Sequence, residues 1–246
     1  MFISVVSLFP EMIKHLASFG VLGRAFENQI ASLQCLNPRD FATDSNKSVD
    51  DRPYGGGPGM LLRTEPYAAA IEAAKERQPS NPVVFLSPQG RLFSQESALQ
   101  FANGNGITLV CGRYEGFDQR LIEKYADDEI SLGDYVLSGG ELAALAVIDS
   151  VVRLLPNALG SNESASQDSF SSGLLEHPQY TRPEIFDGQA VPSVLINGDH
   201  AKIEQWRIKQ ALGRTWANRP DLLEDRELSD HEKELLQEYV AEYNAR

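Results

Sequence analysis

This chain of 246 residues has little with which to make a covalent or metal staple: two cysteines, Cys35 and Cys111, and four histidines. Both cysteines sit in strand-like apolar runs, where a thiol behaves as a small hydrophobe, and no ligand spacing links them to the scattered histidines. Neither a disulfide framework nor a metal site is therefore expected. No apolar run approaches the ~20 residues that a membrane-spanning helix needs. The N-terminal MFISVVSLFPEMIK also lacks the basic n-region and small-residue cleavage site of a secretory signal. The expectation is a soluble, unexported, cytoplasmic protein with no membrane partner. Basic residues are scarce too, since 22 Lys and Arg against 35 Asp and Glu leave a net charge of -13. Affinity for nucleic acid rests on neutralising phosphates with Lys and Arg, so the charge argues against indiscriminate polyanion binding and any such contact needs a local basic patch. One exists between residues 199 and 219, where Lys202, Arg207, Lys209, Arg214 and Arg219 outnumber Asp199 and Glu204. Its bland reading is a solvated helix face. Phosphate-cradling motifs are absent as well: there is no G-x-x-x-x-G-K-[ST], and Gly104-Asn-Gly106 precedes a strand instead of following one.

What is present is an ordinary globular composition, 42% hydrophobic, long enough for one large domain or two modest ones. Strands are expected at Phe2 to Phe9, Ser32 to Leu36, Val83 to Leu86 and Ile107 to Cys111, the last two near-continuously apolar, as buried parallel strands tend to be. Helical patterns fall between them, at Glu11 to about Glu27, Glu65 to Arg77, Gln95 to Phe101 and Asp118 to Tyr125. That alternation predicts an α/β fold with a mostly parallel sheet. A core helix follows from Gly140, with Leu142, Leu145, Ile148 or Asp149, and Val152 along one side, and Pro156 ends it. Gly160 to Gly173 then holds six serines and few apolar residues, the composition of a flexible connector. A small helical domain closes the chain, with a strand-like Val191 to Ile196. Asp199 is positioned to cap a helix over His200 to Ala217, and the capping-box pattern Ser229-Asp-His-Glu232 opens another through Tyr239.

Three glycine loops stand where strands are expected to end: Tyr54 to Met60, Leu86 to Gly90 and Cys111 to Gly116. A fourth, Ile130 to Glu141, runs straight into the core helix. Glycine there permits positive φ and close approach of backbone to a ligand, at the strand ends where open α/β sheets bind ligands. Each loop alone reads first as a tight turn. Together, and without a phosphate motif, they leave open a nucleoside ligand that carries no phosphates.

The motifs RPYGGGPGM, LSPQG, CGRYEGFDQR, SLGDYVLSGGEL, DSF, LLEHPQYTRP and IEQWRIKQALGRTW, in that order over about residues 1 to 225, resemble the bacterial tRNA (guanine-N1)-methyltransferases of the SPOUT class. That family modifies the guanosine immediately 3′ of the anticodon, position 37. The resemblance implies an α/β domain over residues 1–160, with a mostly parallel sheet, a deep C-terminal trefoil knot and bound S-adenosylmethionine. It further implies a flexible linker over 161–173 that carries the catalytic aspartate, and a mainly helical tRNA-binding domain over 174–246. Residue by residue, it assigns Leu86, Ser87 and Pro88 of one loop and Gly112, Tyr114 and Glu115 of another to the cofactor. Ile130, Leu132, Gly133, Asp134, Tyr135, Val136, Leu137, Gly139 and Gly140 complete that set. Asp50, Arg52, Gly55, Gly56, Pro58 and Gly59 match family positions near the target base. A homodimer with each active site shared between subunits is implied too. Magnesium dependence is implied by the resemblance alone, and no carboxylate cluster predicts a site.

The chemistry gives these assignments a reason. Guanine N1 carries a proton and no available lone pair, so methylation there needs a general base within hydrogen-bond reach. The resemblance gives that role to Asp168, which composition alone would leave as a solvated linker residue. Negative charge then develops on guanine O6, and Arg153 is implied as the guanidinium that stabilises it. Its bland alternative is a cation at a helix C-terminus. His177, Tyr180 and Arg182 either engage the extruded nucleotide or its neighbours, or cap the strand-like Val191 to Ile196. Trp206, Arg207, Lys209 and Arg214 read as a contact to the anticodon stem, with Trp206 alternatively a core residue. Two other readings compete: a non-catalytic RNA-binding module of the same fold, and a nucleoside-binding regulator of the knot class.

Overall fold

The structure, a computed structural model, describes residues 1–160 and 168–245, and the chain divides into two compact units, Met1–Asn162 and Glu163–Arg246. In the first unit β1 (Phe2–Val6) leads into α1 (Pro10–Ala17), α2 (Gly20–Glu27) and β2 (Ser32–Leu36). A short hairpin, β3 (Asp50–Asp51) and β4 (Leu61–Leu62), precedes α3 (Thr64–Arg77). Then β5 (Val83–Leu92), α4 (Gln95–Ala102), β6 (Gly106–Cys111), α5 (Gln119–Tyr125), β7 (Asp128–Ser131) and α6 (Glu141–Val152) complete it. The main sheet has five strands in the order β2-β1-β6-β5-β7, with every pair parallel. Its two faces bury separate apolar clusters: Ile3, Val5, Leu109 and Ile130 with α6 on one side, Val6, Phe85 and Val110 with Tyr67 and Ile71 of α3 on the other. Burial on both faces is why β6 is buried along its whole length and apolar but for Thr108.

Several expectations are corrected. The helix expected over Glu11 to Glu27 is two helices, because Phe19 is extended and Gly20 adopts φ +62°. Gly23 then lies so close to the Ser18 carbonyl that a Cβ would collide with it. The first strand ends at Val6, since Ser7 turns its hydroxyl to Glu141. LSPQG lies within β5: Leu86 and Arg91 both pair with Ile130, so Ser87 to Gly90 bulges from the ladder. GGGPG links β3 to β4 and does not end a main-sheet strand. The buried face of α6 is Ala143, Ala144, Val147, Ile148, Val151 and Val152, whereas Leu142 is 48% exposed. A helix apolar nearly all round leaves its face to be chosen by fit, and here the small alanines go inward.

The second unit is described from Asp168. Asp168 to Leu174 forms hydrogen-bonded turns, with Ser171 N donating to the Asp168 carbonyl and Phe170 N to the Leu174 carbonyl. The expected linker segment 161–167 lies outside the described residues. A hairpin of β8 (Ile185–Phe186) and β9 (Gln189–Ala190) turns through Asp187-Gly188, both at positive φ. Asp-Gly is a local hairpin signal, while Val191 to Ile196, expected as a strand, is a short 3-10 turn after Pro192. Helices α7 (His200–Asn218), α8 (Asp221–Glu224) and α9 (Asp230–Asn244) follow, the last running past Tyr239. Asp199 accepts from Lys202 N and caps α7, and Ser229 with Glu232 forms the capping box of α9. Leu174, Leu212 and Leu235 make this unit's small core.

Candidate active site

The carboxyl ends of β5, β6 and β7 open onto a cavity of about 320 Å³, lined by Leu86 to Gln89, Gly112 to Phe117 and Ile130 to Gly133, with Tyr135 to Gly140 across its mouth. Every residue assigned to the cofactor lines it except Asp134, which stands outside. Its walls are largely backbone. Gly140 N donates to the Gly112 carbonyl at 2.8 Å, and a Cβ at Gly140 would come within 2.9 Å of Cys111 Cα, so the loop after β7 is laid directly on the end of β6. Tyr114 holds φ +57°, a conformation that a non-glycine residue rarely adopts and that is enriched at ligand sites. Below it Phe117 packs edge-on against Tyr67 and Phe85, with ring centroids 5.6 and 4.9 Å away. The Tyr67 hydroxyl donates to the Cys111 carbonyl and is buried, which pushes its pKa far up and keeps it neutral.

The hairpin β3–β4 joins this pocket from the side. Glu115 N donates to the Met60 carbonyl at 3.0 Å and Leu62 N to the Gly116 carbonyl at 2.9 Å. Gly59, at φ +84°, packs so closely on Glu115 that a Cβ would overlap its side chain. The structure thus brings Gly59 to the one exposed pocket carboxylate, and Glu115 has no ion pair among the described residues. Gly55 and Gly56 take positive φ in the same loop as Pro58, and Asp50 and Arg52 flank its start. Arg153 is the C-cap of α6, where its N–H donates to the Asp149 carbonyl.

In the second unit, His177 and Tyr180 both face Trp206, at centroid distances of 6.2 and 6.3 Å. Trp206 is half-buried, neither core nor free. The alternative that His177, Tyr180 and Arg182 cap a strand falls with that strand. A cavity of about 380 Å³ lies between His177, Glu176, Ser169 and Arg214. The basic patch is less free than its sequence reads. Lys209 is held between Glu238 and Glu242 at 3.2 and 2.6 Å with its side chain 14% exposed, Lys202 pairs with Asp199, and Arg219 with Asp221. Arg207 pairs loosely with Glu204 at 3.9 Å, and Arg214 is exposed without an ion pair among the described residues.

Among the described residues no group of three or more His, Cys, Asp or Glu side chains could hold a metal ion. No described helix is long and apolar enough to cross a membrane. The pocket also takes in residues that the sequence did not single out, Arg113, Phe117, Ser138 and Ala143 among them. Arg113 lies within the CGRYEGFDQR motif, but its partner Glu141 is 28 positions away.

An open parallel sheet with a glycine-built pocket of small-molecule size at its carboxyl edge, where sheets of this kind bind ligands, defines an α/β ligand-binding protein. The model of the family tRNA (Guanine-1)-methyltransferase TrmD matches residues 1–225. Proteins named tRNA (guanine-N(1)-)-methyltransferase resemble the chain throughout. That of Halorhodospira halophila is 52% identical over 244 residues, 99% of this chain and 92% of its own length. That of Sodalis glossinidius is 53% identical over 247 residues, covering 100% and 98%. That of Vibrio cholerae is 51% identical over 243 residues, 98% of each. The chain belongs to the tRNA (guanine-1)-methyltransferase family.

Proposed function

We propose that this protein transfers a methyl group from S-adenosylmethionine to N1 of the guanosine at position 37 of tRNA, immediately 3′ of the anticodon. The observation that carries the reading is the pocket at the ends of β5, β6 and β7, where the residues that resemble the family's cofactor site come together. S-adenosylmethionine bound there supplies an electrophilic methyl on a cationic sulfur. Backbone groups of Leu132, Gly133, Tyr135 to Gly140 and Gly112 to Glu115 suit an adenine and a bent methionine tail, and Glu115 offers a counter-charge to the sulfonium. The volume falls within the range of small-molecule sites.

Asp168 is the general base, taking the N1 proton as the methyl transfers, and Arg153 stabilises the charge that develops on guanine O6. Pocket and base belong to different units of the chain. In the family's homodimer, the Asp168 of one subunit serves the pocket of the other. The target base must leave its stack to be reached, as in other base-modifying enzymes. The aromatic group His177, Tyr180 and Trp206, with Arg214 beside the neighbouring cavity, offers stacking faces and an exposed cation for the nucleotides around it.

The test is methyl transfer from labelled S-adenosylmethionine to a tRNA transcript with guanosine at position 37, beside one with adenosine there, for the wild type and Asp168→Asn. The expected result is transfer that requires the guanosine and falls about 100-fold or more in the variant, while cofactor affinity is kept. A folded wild type that binds the tRNA but methylates neither transcript would instead make it an RNA-binding module.

A further inference from the structure

Arg113 and Glu141 lie at the back of the pocket, and neither is assigned a part in the reaction above. Glu141 opens α6 and is fully buried, yet it does not cap the helix. One of its oxygens accepts from Arg113 Nε at 2.8 Å, the other from Ser7 Oγ at 2.7 Å at the end of β1. Arg113 stands two residues beyond the end of β6. Besides Glu141, its Nη1 donates to the Ser138 carbonyl at 3.1 Å, and its guanidinium lies over the Phe9 ring, 4.4 Å from the centroid. Arg113 and Gly139 form an antiparallel bridge, and a Cβ at Gly139 would run into the Arg113 side chain.

A buried carboxylate is costly unless it is paired and hydrogen-bonded, so this group does not come apart piecemeal. Its three anchors are the end of β1, the loop after β6 and the loop before α6. The last two supply the backbone walls of the pocket. We infer that Arg113 is a positioning residue of the cofactor site: clamped by Glu141, it sets the separation of the loops 112–116 and 137–140 and so tunes cofactor affinity without touching the reacting atoms. This rests on the reading of the pocket as the cofactor site.

The experiment measures the Kd of S-adenosylmethionine by calorimetry on the full chain, with the KM for tRNA beside it, for Arg113→Gln, Arg113→Lys, Glu141→Gln and the double variant Arg113→Gln with Glu141→Gln. Ile71→Ala, a core change on the other face of the sheet, controls for lost stability alone. Arg113→Gln and Glu141→Gln are expected to raise the Kd tenfold or more with the KM for tRNA within twofold. The double variant, which leaves no unpaired buried charge, should recover part of the loss. Arg113→Lys keeps the charge but cannot hold both Glu141 and the Ser138 carbonyl, and falls between; it carries the test should Arg113→Gln not fold. Wild-type Kd in the folded variants, or an equal rise in Ile71→Ala, overturns the inference. A wild type that does not bind the cofactor at all overturns the reading of the pocket itself.

Discussion

Gly140→Ala tests the pocket geometry most directly. Gly140 sits at φ -76°, which any residue adopts, so the substitution brings no backbone strain of its own. Its cost is steric: the new Cβ would stand 2.9 Å from Cys111 Cα and 3.0 Å from Gly112 N, half an ångström short of the 3.4 Å at which ordinary contact begins. Both neighbours are backbone at the end of a buried strand and cannot rotate away. Overpacking of this kind costs about 1–3 kcal/mol. The free protein can relieve it by spreading the loop from β6, whereas a bound ligand needs the loops at their native separation. Most of the cost is therefore read as lost affinity, and about 2 kcal/mol corresponds to roughly a 30-fold rise in Kd. At a ligand concentration of about 100 times the wild-type Kd, binding stabilises the wild type by about 2.7 kcal/mol and the variant by about 0.9 kcal/mol. At about 2–4 °C per kcal/mol for a protein of this size, the melting shift on adding S-adenosylmethionine falls from roughly 5–11 °C to roughly 2–4 °C. An undiminished ligand-induced shift in Gly140→Ala would refute the claim that this close approach shapes the cofactor site.

The remaining expectations concern thiols, caps and the basic surface. Burial pushes the Cys35 thiol up to about 11 and holds Cys111 well above its ordinary value, so iodoacetamide at pH 8 should label neither in the folded protein and both in guanidinium; rapid labelling of Cys35 would contradict its packing. Ser229→Ala removes the cap of α9 and should cost the second unit about 1 kcal/mol by denaturant unfolding. The Ser229 backbone N–H, with Arg226, holds the Glu232 carboxyl below its usual 4.5, so its contribution is complete above that pH and is lost as pH falls through the depressed value. Acid melting should thus be less steep in Glu232→Gln. Arg214→Gln should weaken tRNA binding and lower its log-log salt slope by about 1, while Lys209→Gln, whose charge Glu238 and Glu242 already offset, should change that slope by much less.

The local elements were largely legible in the sequence, because their signals are local. Near-continuous apolar runs marked β5 and β6, and Asp199 and the Ser229–Glu232 box opened the helices they were expected to open. Reading failed where one signal was weighed over another: the glycines at 20 and 23 split what looked like a single helix, and Asp187-Gly188 made a hairpin where a later apolar run looked like a strand. The loop residues of the pocket were legible only through the family's long motifs, since a glycine turn looks the same whether or not it holds a ligand.

The sequence by itself determined the alternation of strand and helix, the caps, the acidity that confines nucleic-acid contact to a local patch, and, through its motifs, the family. Those properties reside in neighbouring residues or in sums over all of them. The tertiary structure alone decided which face of α6 is buried, that Lys209 is spent on Glu238 and Glu242, and that Arg113 meets Glu141 and Ser7 behind the pocket. Each of these depends on groups between 28 and 134 positions apart, or on how closely two surfaces fit, and neither periodicity nor propensity carries that information.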